Sequence, residues 1–103
     1  MSINENFIEQ LIIKANPNIE DDAIDLFLED IRPILEEWVM NHIMWKLTDD
    51  QLYDYTQLIK SHADDKKIHA YLNKTIIDYD NFIQKVYQEF EDMYLKEYKN
   101  FSE

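Results

Sequence analysis

Residues 18–47, NIEDDAIDLFLEDIRPILEEWVMNHIMWKL, decide the fold. Apolar side chains at Ala23, Leu26, Phe27, Ile31, Ile34, Leu35, Trp38, Val39, Ile43 and Met44 recur at intervals of three and four, the period of one helix face. Glu20, Asp21 and Asp22 stand at the start, where the positive end of a helix dipole favours acids. The pattern predicts a helix over about 19–46, about 40 Å long at 1.5 Å per residue. Pro33 conflicts with it, because proline removes the bond to the Glu29 carbonyl and its ring crowds that turn. The expectation is a central helix kinked or broken near Pro33. Its most apolar part, Trp38 to Trp45, is interrupted by Asn41 and His42 and falls well short of the roughly 20 residues of a membrane span. It reads as core.

Toward the N-terminus, Ser2-Ile3-Asn4-Glu5 fits a capping box that opens a helix over about 3–15. Phe7, Ile8, Leu11, Ile12 and Ala15 form its buried stripe, and Asn16-Pro17-Asn18 ends it, with asparagine tolerant of the left-handed conformation. Toward the C-terminus, Thr48-Asp49-Asp50-Gln51 is a second capping box for a helix over 49–61 that buries Leu52, Tyr55, Leu58 and Ile59. A polar link at 61–64 precedes a helix over 65–74 carrying Ile68, Tyr71 and Leu72. Asp78 caps the last helix, over 79–99, whose stripe is Phe82, Val86, Phe90, Met93 and Tyr94. Strand-like alternation is missing. The chain therefore reads as all-α, a single domain over 1–103 in which short links make a compact bundle of four to five helices.

Composition narrows the chemistry. Apolar residues make up 46% of the chain, enough to offset the entropy of ordering about one domain's worth of chain. Glycine is absent where average usage would place about seven, so the glycine-rich phosphate loops of nucleotide-binding proteins are excluded. Without cysteine there is no disulfide, thiolate nucleophile or zinc knuckle. The opening residues show neither a basic region nor a continuous apolar run, so no secretory signal is expected and the cytoplasm is the expected compartment. Ten basic against 22 acidic residues give a net charge of −12, which disfavours direct contact with nucleic acid or an anionic membrane.

Candidate chemical groups each have a simpler account. His62, Asp65 and His69 match no standard metal spacing and read as surface groups near helix ends, and His42 reads as a hydrogen-bonded boundary histidine. No histidine has a glutamate three residues before it, which removes the di-iron bundle class. The pairs Asp21-Asp22, Asp49-Asp50 and Asp64-Asp65 all fall at predicted helix starts, where capping explains them. Asp78 to Glu89 imitates a calcium loop but carries Phe82 and Ile83 where a ligand and a glycine belong. No serine sits in a nucleophile elbow. No catalytic residue, metal or cofactor is expected.

From Asn6 to Tyr98 the order of signals resembles a family of small uncharacterised helical proteins, a domain of unknown function from candidate-phyla bacteria. The features that carry the resemblance are the long helix ending in Ile43 and Leu47, Thr48-x-x-Gln51 with Tyr55 and Leu58, the Tyr71-Leu72 pair, and Asp78-Tyr79-Asp80-x-Phe82-Ile83. It implies an all-helical fold and carries over no activity, since the family has none assigned.

Two surfaces remain. Asp22, Asp25, Glu29 and Glu36 lie near one face of the central helix, either as a solvated face or as a docking face for a basic partner. Tyr87, Tyr94 and Tyr98 recur on the last helix at spacings of seven and four, either as wide internal packing or as an interface, a homodimer included. The leading expectation is a non-enzymatic protein–protein interaction module or small subunit. The alternative is a nucleic-acid mimic that inhibits a DNA- or RNA-binding protein.

Overall fold

A computed structural model describes the backbone of residues 4–102 and the side-chain surroundings of residues 4–97. It contains five helices: α1 (Glu5–Ala15), α2 (Asp21–Lys46), α3 (Asp49–Lys60), α4 (Asp65–Thr75) and α5 (Tyr79–Ser102). No strand occurs among the described residues. The all-α expectation holds, and element boundaries move by three residues or fewer.

The starts of the helices show how the sequence sets their limits. Helix α1 begins at Glu5 rather than Ile3, because Asn4 is the cap and its Oδ1 accepts the Phe7 amide at 3.2 Å. The expected cap Ser2 lies outside the described residues. Thr48 forms the expected capping box: its Oγ1 accepts the Gln51 amide, and its own amide donates to Gln51 Oε1 at 3.0 Å. Asp64 caps α4 by accepting the Lys67 amide at 2.9 Å. Asp78 precedes α5, its carbonyl accepting the Phe82 amide and its carboxylate taking the Asn81 side-chain amide at 2.7 Å. All three acid pairs occupy cap or first-turn positions, as capping requires.

Of the two outcomes expected at Pro33, a kink or a break, the break does not occur: α2 runs unbroken for 26 residues. Leu28 and Ile31 before the proline and Leu35, Val39 and Ile43 after it form one buried seam, which holds both halves in register. Pro33 and Glu29 are both exposed residues, so the lost hydrogen bond falls on the side of α2 away from the seam. Burial on one face outweighs the lost bond on the other.

Helix α2 runs antiparallel to both α1 and α5. Arg32 meets Glu5 of α1 at 2.6 Å, while Trp38 packs edge-on against Phe90 and Lys46 lies over the Phe82 ring of α5. The Trp38 indole N–H donates to the Val86 carbonyl at 3.0 Å. Helices α1 and α5 point the same way, joined by Phe7 against Tyr87 and by Lys14 to Glu91 at 2.6 Å. Helices α3 and α4 pair with each other, the Tyr71 hydroxyl donating to the Gln51 carbonyl at 2.9 Å, and α4 rests on α5. The molecule measures 45 × 23 × 18 Å with a radius of gyration of 15.5 Å, longer than the about 13 Å usual for 100 residues.

One continuous core joins Ile8, Leu11 and Ile12 of α1 with the α2 seam, Tyr55, Ile68, Leu72, Ile76, Tyr79, Val86 and Phe90. Four residues placed on the α2 stripe from sequence are exposed instead: Leu26, Phe27, Ile34 and Met44. Trp45, read as core, is 84% exposed. The seam runs through Leu28, which the expected stripe left out, because α1 and α5 both pack on the sector centred there.

A glycine-free chain must make its left-handed turns with other residues. His62 (φ 56°) and Asp78 (φ 57°) do so, while Asn16, expected to tolerate that conformation, caps α1 at φ −143°. At His62 the Ala63 amide bonds to the Leu58 carbonyl and the His62 amide to the Ile59 carbonyl, a Schellman ending. Histidine is tolerated there less well than glycine.

Two substitutions test this account by urea unfolding. Pro33→Ala restores a helical hydrogen bond, and its expected stabilisation is about 2 kcal/mol, the helix-interior gain less the entropy proline removes from the unfolded chain. His62→Gly relieves the left-handed turn at the cost of a freer unfolded chain, and a gain of about 0.5 kcal/mol is expected.

Candidate interaction surface

The outer face of α2 carries what the core leaves over. At 3.6 residues per turn, positions 26, 27, 30, 33, 34 and 37 fall within a sector of about 120°. Leu26 is 67% exposed, Ile34 55% and Phe27 40%, and Pro33 is exposed beside them. Asp30 sits among these apolar groups and Glu37 at their end, both exposed. Toward the C-terminus, Met44 and Trp45 continue the apolar surface. Single exposed apolar residues are ordinary, but a file of them on one helix face is informative.

Acids border this file. Asp22, Asp25 and Glu29 are exposed along its α1-facing side, with Glu36 half-buried behind them. From residue 15 to residue 45 the chain has eight acids and one arginine, Arg32. That arginine turns away from the strip to pair with Glu5. No described cation pairs with Asp22, Asp25 or Glu29. The three acids singled out from sequence therefore share a border with an apolar file that the sequence had placed inside.

The tyrosines of α5 lie elsewhere. Tyr87 is half-buried with its ring 5.0 Å from that of Phe7, and Tyr94 is half-buried and stacked on Phe90 at 6.5 Å. The side chain of Tyr98 is outside the described residues. Tyr87 and Tyr94 thus help hold α1 and the end of α5 to the core, and the structure does not bring them together with the acidic strip.

The histidines also have local roles. His42 donates from Nδ1 to the Trp38 carbonyl at 2.7 Å and presents Nε2 to Glu89 at 3.5 Å. His69 packs edge-on against Tyr79 at 5.3 Å, and His62 makes the turn after α3. Among the described residues no three histidine or carboxylate groups converge as metal ligands would. The hollows among the described residues include a shallow one along α5 at Asp78, Asn81 and Lys85 and another between α3 and α4 at Asp54, Leu58 and Tyr71. Neither holds a nucleophile paired with a base. No helix among the described residues is long and apolar enough to cross a membrane.

Three phenols, Tyr55 and Tyr79 buried and Tyr87 half-buried, are shifted from their ordinary value. Tyr79 is pushed up to about 12, chiefly by burial and further by the negative charge that Tyr87, Tyr55 and Asp80 bring near it. Burial also raises Tyr55, whose hydroxyl meets no partner among the described residues. Tyr87 is raised by burial against a smaller opposing effect from the Asn4 backbone amide.

Fold and surface together define a small acidic all-α protein in which one face of the longest helix is left uncovered. The chain belongs to the family described as Protein of unknown function (DUF5663), whose profile matches residues 7–94. No curated protein and no solved structure matches it.

The raised phenols set a pH limit. A tyrosine with a folded pKa above its unfolded value near 10 contributes stability that is complete below pH 10 and is lost as pH rises through the folded value. The urea midpoint is expected to fall between about pH 10 and pH 12. Tyr79→Phe is expected to flatten that fall, a comparison made by repeating the unfolding curve at each pH.

Proposed function

We propose that this protein is a non-enzymatic, cytoplasmic interaction module that binds another protein through the outer face of α2. The observation that supports the reading is the file of Leu26, Phe27 and Ile34, exposed on a helix whose opposite face is fully packed. Free solubility gains nothing from these side chains, whereas a partner that buries them gains about 25 cal/mol for each Å² removed from water. The fold needs none of them in its core. Their retention on one line is what a binding face requires.

The same strip speaks against nucleic-acid mimicry. A phosphate array is uniformly anionic, whereas here Leu26 and Pro33 stand between the bordering acids and Asp30 and Glu37, and Phe27 and Ile34 flank those two on their other side. A mimic would present its carboxylates in rows without apolar groups between them.

Site-specific photo-crosslinking in the native host tests the reading. A photoreactive residue at position 34 is expected to trap a partner that the same residue at exposed position 88, on α5, does not. Adding Leu26→Glu to the position-34 probe is expected to abolish the product while urea stability changes by less than about 0.5 kcal/mol, because the side chain is exposed. Equal trapping at both positions, or none at position 34, would overturn the assignment.

A further inference from the structure

Resting on that reading of the α2 face, we infer that its occupant is a basic amphipathic helix of another protein and not a second copy of this chain. The strip offers two kinds of contact in register. Leu26, Phe27, Pro33 and Ile34 form an apolar ridge, extended toward Met44 and Trp45. Asp22, Asp25 and Glu29 border it, and Asp30 and Glu37 interrupt it, all exposed and none paired with a described cation. A helix laid along α2 with apolar residues at i, i+3/i+4 and i+7 fills the ridge, and lysine or arginine beside that seam reaches the acids.

Charge decides between the two occupants. A symmetric contact with a second copy sets this acidic strip against itself, and each chain carries a net charge of −12. Like charges placed opposite one another across a contact oppose association, while a cationic partner converts the same carboxylates into attraction and faster encounter. The one arginine within the strip's span is held by Glu5 and offers a second copy nothing to pair with. Asp30 adds a positional demand: a carboxylate in the middle of an apolar ridge loses water when covered, so the partner must bring a cation to that point.

Synthetic helices test the inference with the full chain. Three peptides are compared: a leucine seam flanked by lysine and arginine, the same residues scrambled so that no seam forms, and the leucine seam flanked by glutamate. Binding is followed by fluorescence anisotropy of labelled peptides and by the emission of Trp45, which is 84% exposed. The basic seam peptide is expected to bind at least about tenfold more tightly than either control, and to weaken about tenfold from about 0.05 M to about 0.5 M NaCl through screening of the acids. Ile34→Glu, at an exposed position, is expected to cost at least about tenfold in affinity, and Asp30→Asn to weaken binding and shrink the salt dependence.

Equal binding of the scrambled peptide, binding of the glutamate-flanked peptide, or no binding would overturn the inference. So would a dimer in sedimentation equilibrium that Ile34→Glu dissolves, since the second copy would then own the face. The crosslinking experiment keeps the two claims apart. A partner trapped at position 34 with no response to the basic peptide leaves the binding face standing and removes the basic helix. Failure of both removes the face itself.

Discussion

The buried seam of α2, Leu28, Ile31, Leu35, Val39 and Ile43, is the constraint on which the other helices depend. Both α1 and α5 pack on it, and the Trp38 indole fixes α5 in height by donating to the Val86 carbonyl while its ring meets Phe90. Two neighbours on one seam occupy only part of a helix's circumference. In an ordinary four-helix bundle a further helix would close the rest. Here α3 and α4 pair with each other and reach the remainder through α5, near the end where α2 stops. The uncovered sector of α2 is therefore a consequence of topology, and the length of the molecule has the same origin.

Pro33 is tolerated for the same reason. Its lost hydrogen bond falls on the uncovered side, so the seam continues beneath it without a gap. A proline on the α1 or α5 side would have left the unbonded carbonyl buried, at a cost of about 1–3 kcal/mol for an unsatisfied group. The turns follow a similar economy. With no glycine in the chain, the left-handed positions fall to His62 and Asp78. Histidine and aspartate enter that region more readily than bulky or β-branched residues do. The place of His62 at that turn is thereby explained by backbone geometry.

Much of this was legible in the sequence, and the parts that were not share a cause. Caps such as Thr48-x-x-Gln51 and Asp64 are local, decided within four residues, and they marked helix starts closely. Short stripes on α1 and α4 were legible because each has one packed face. Helix α2 was different: it is apolar around much of its circumference, so spacing alone could not tell Leu28, which is buried, from Leu26 and Phe27, which are exposed. That choice belongs to where α1 and α5 sit. Spacing alone could not choose between internal packing and an interface for Tyr87 for the same reason, since its half-burial comes from Phe7, eighty residues earlier in the chain and brought near only by the fold. The acids were visible from the start, but not the ridge beside them.

The acids and the ridge are best understood together. An apolar file on a small protein is a liability for self-association, and an acidic border counters it, because two copies meeting ridge to ridge must also bring their carboxylates together. The same border leaves approach open to a chain of opposite charge. In the proposed reading, protection against self-association and attraction of a basic partner need no separate residues: Asp22, Asp25, Glu29, Asp30 and Glu37 would supply both, and discrimination would rest on the sign of the charge that arrives. Arg32 is compatible with this arrangement only because Glu5 draws it across to α1. Freed from that pair, it would stand among the acids as an internal counter-ion and lower the negative charge of the strip.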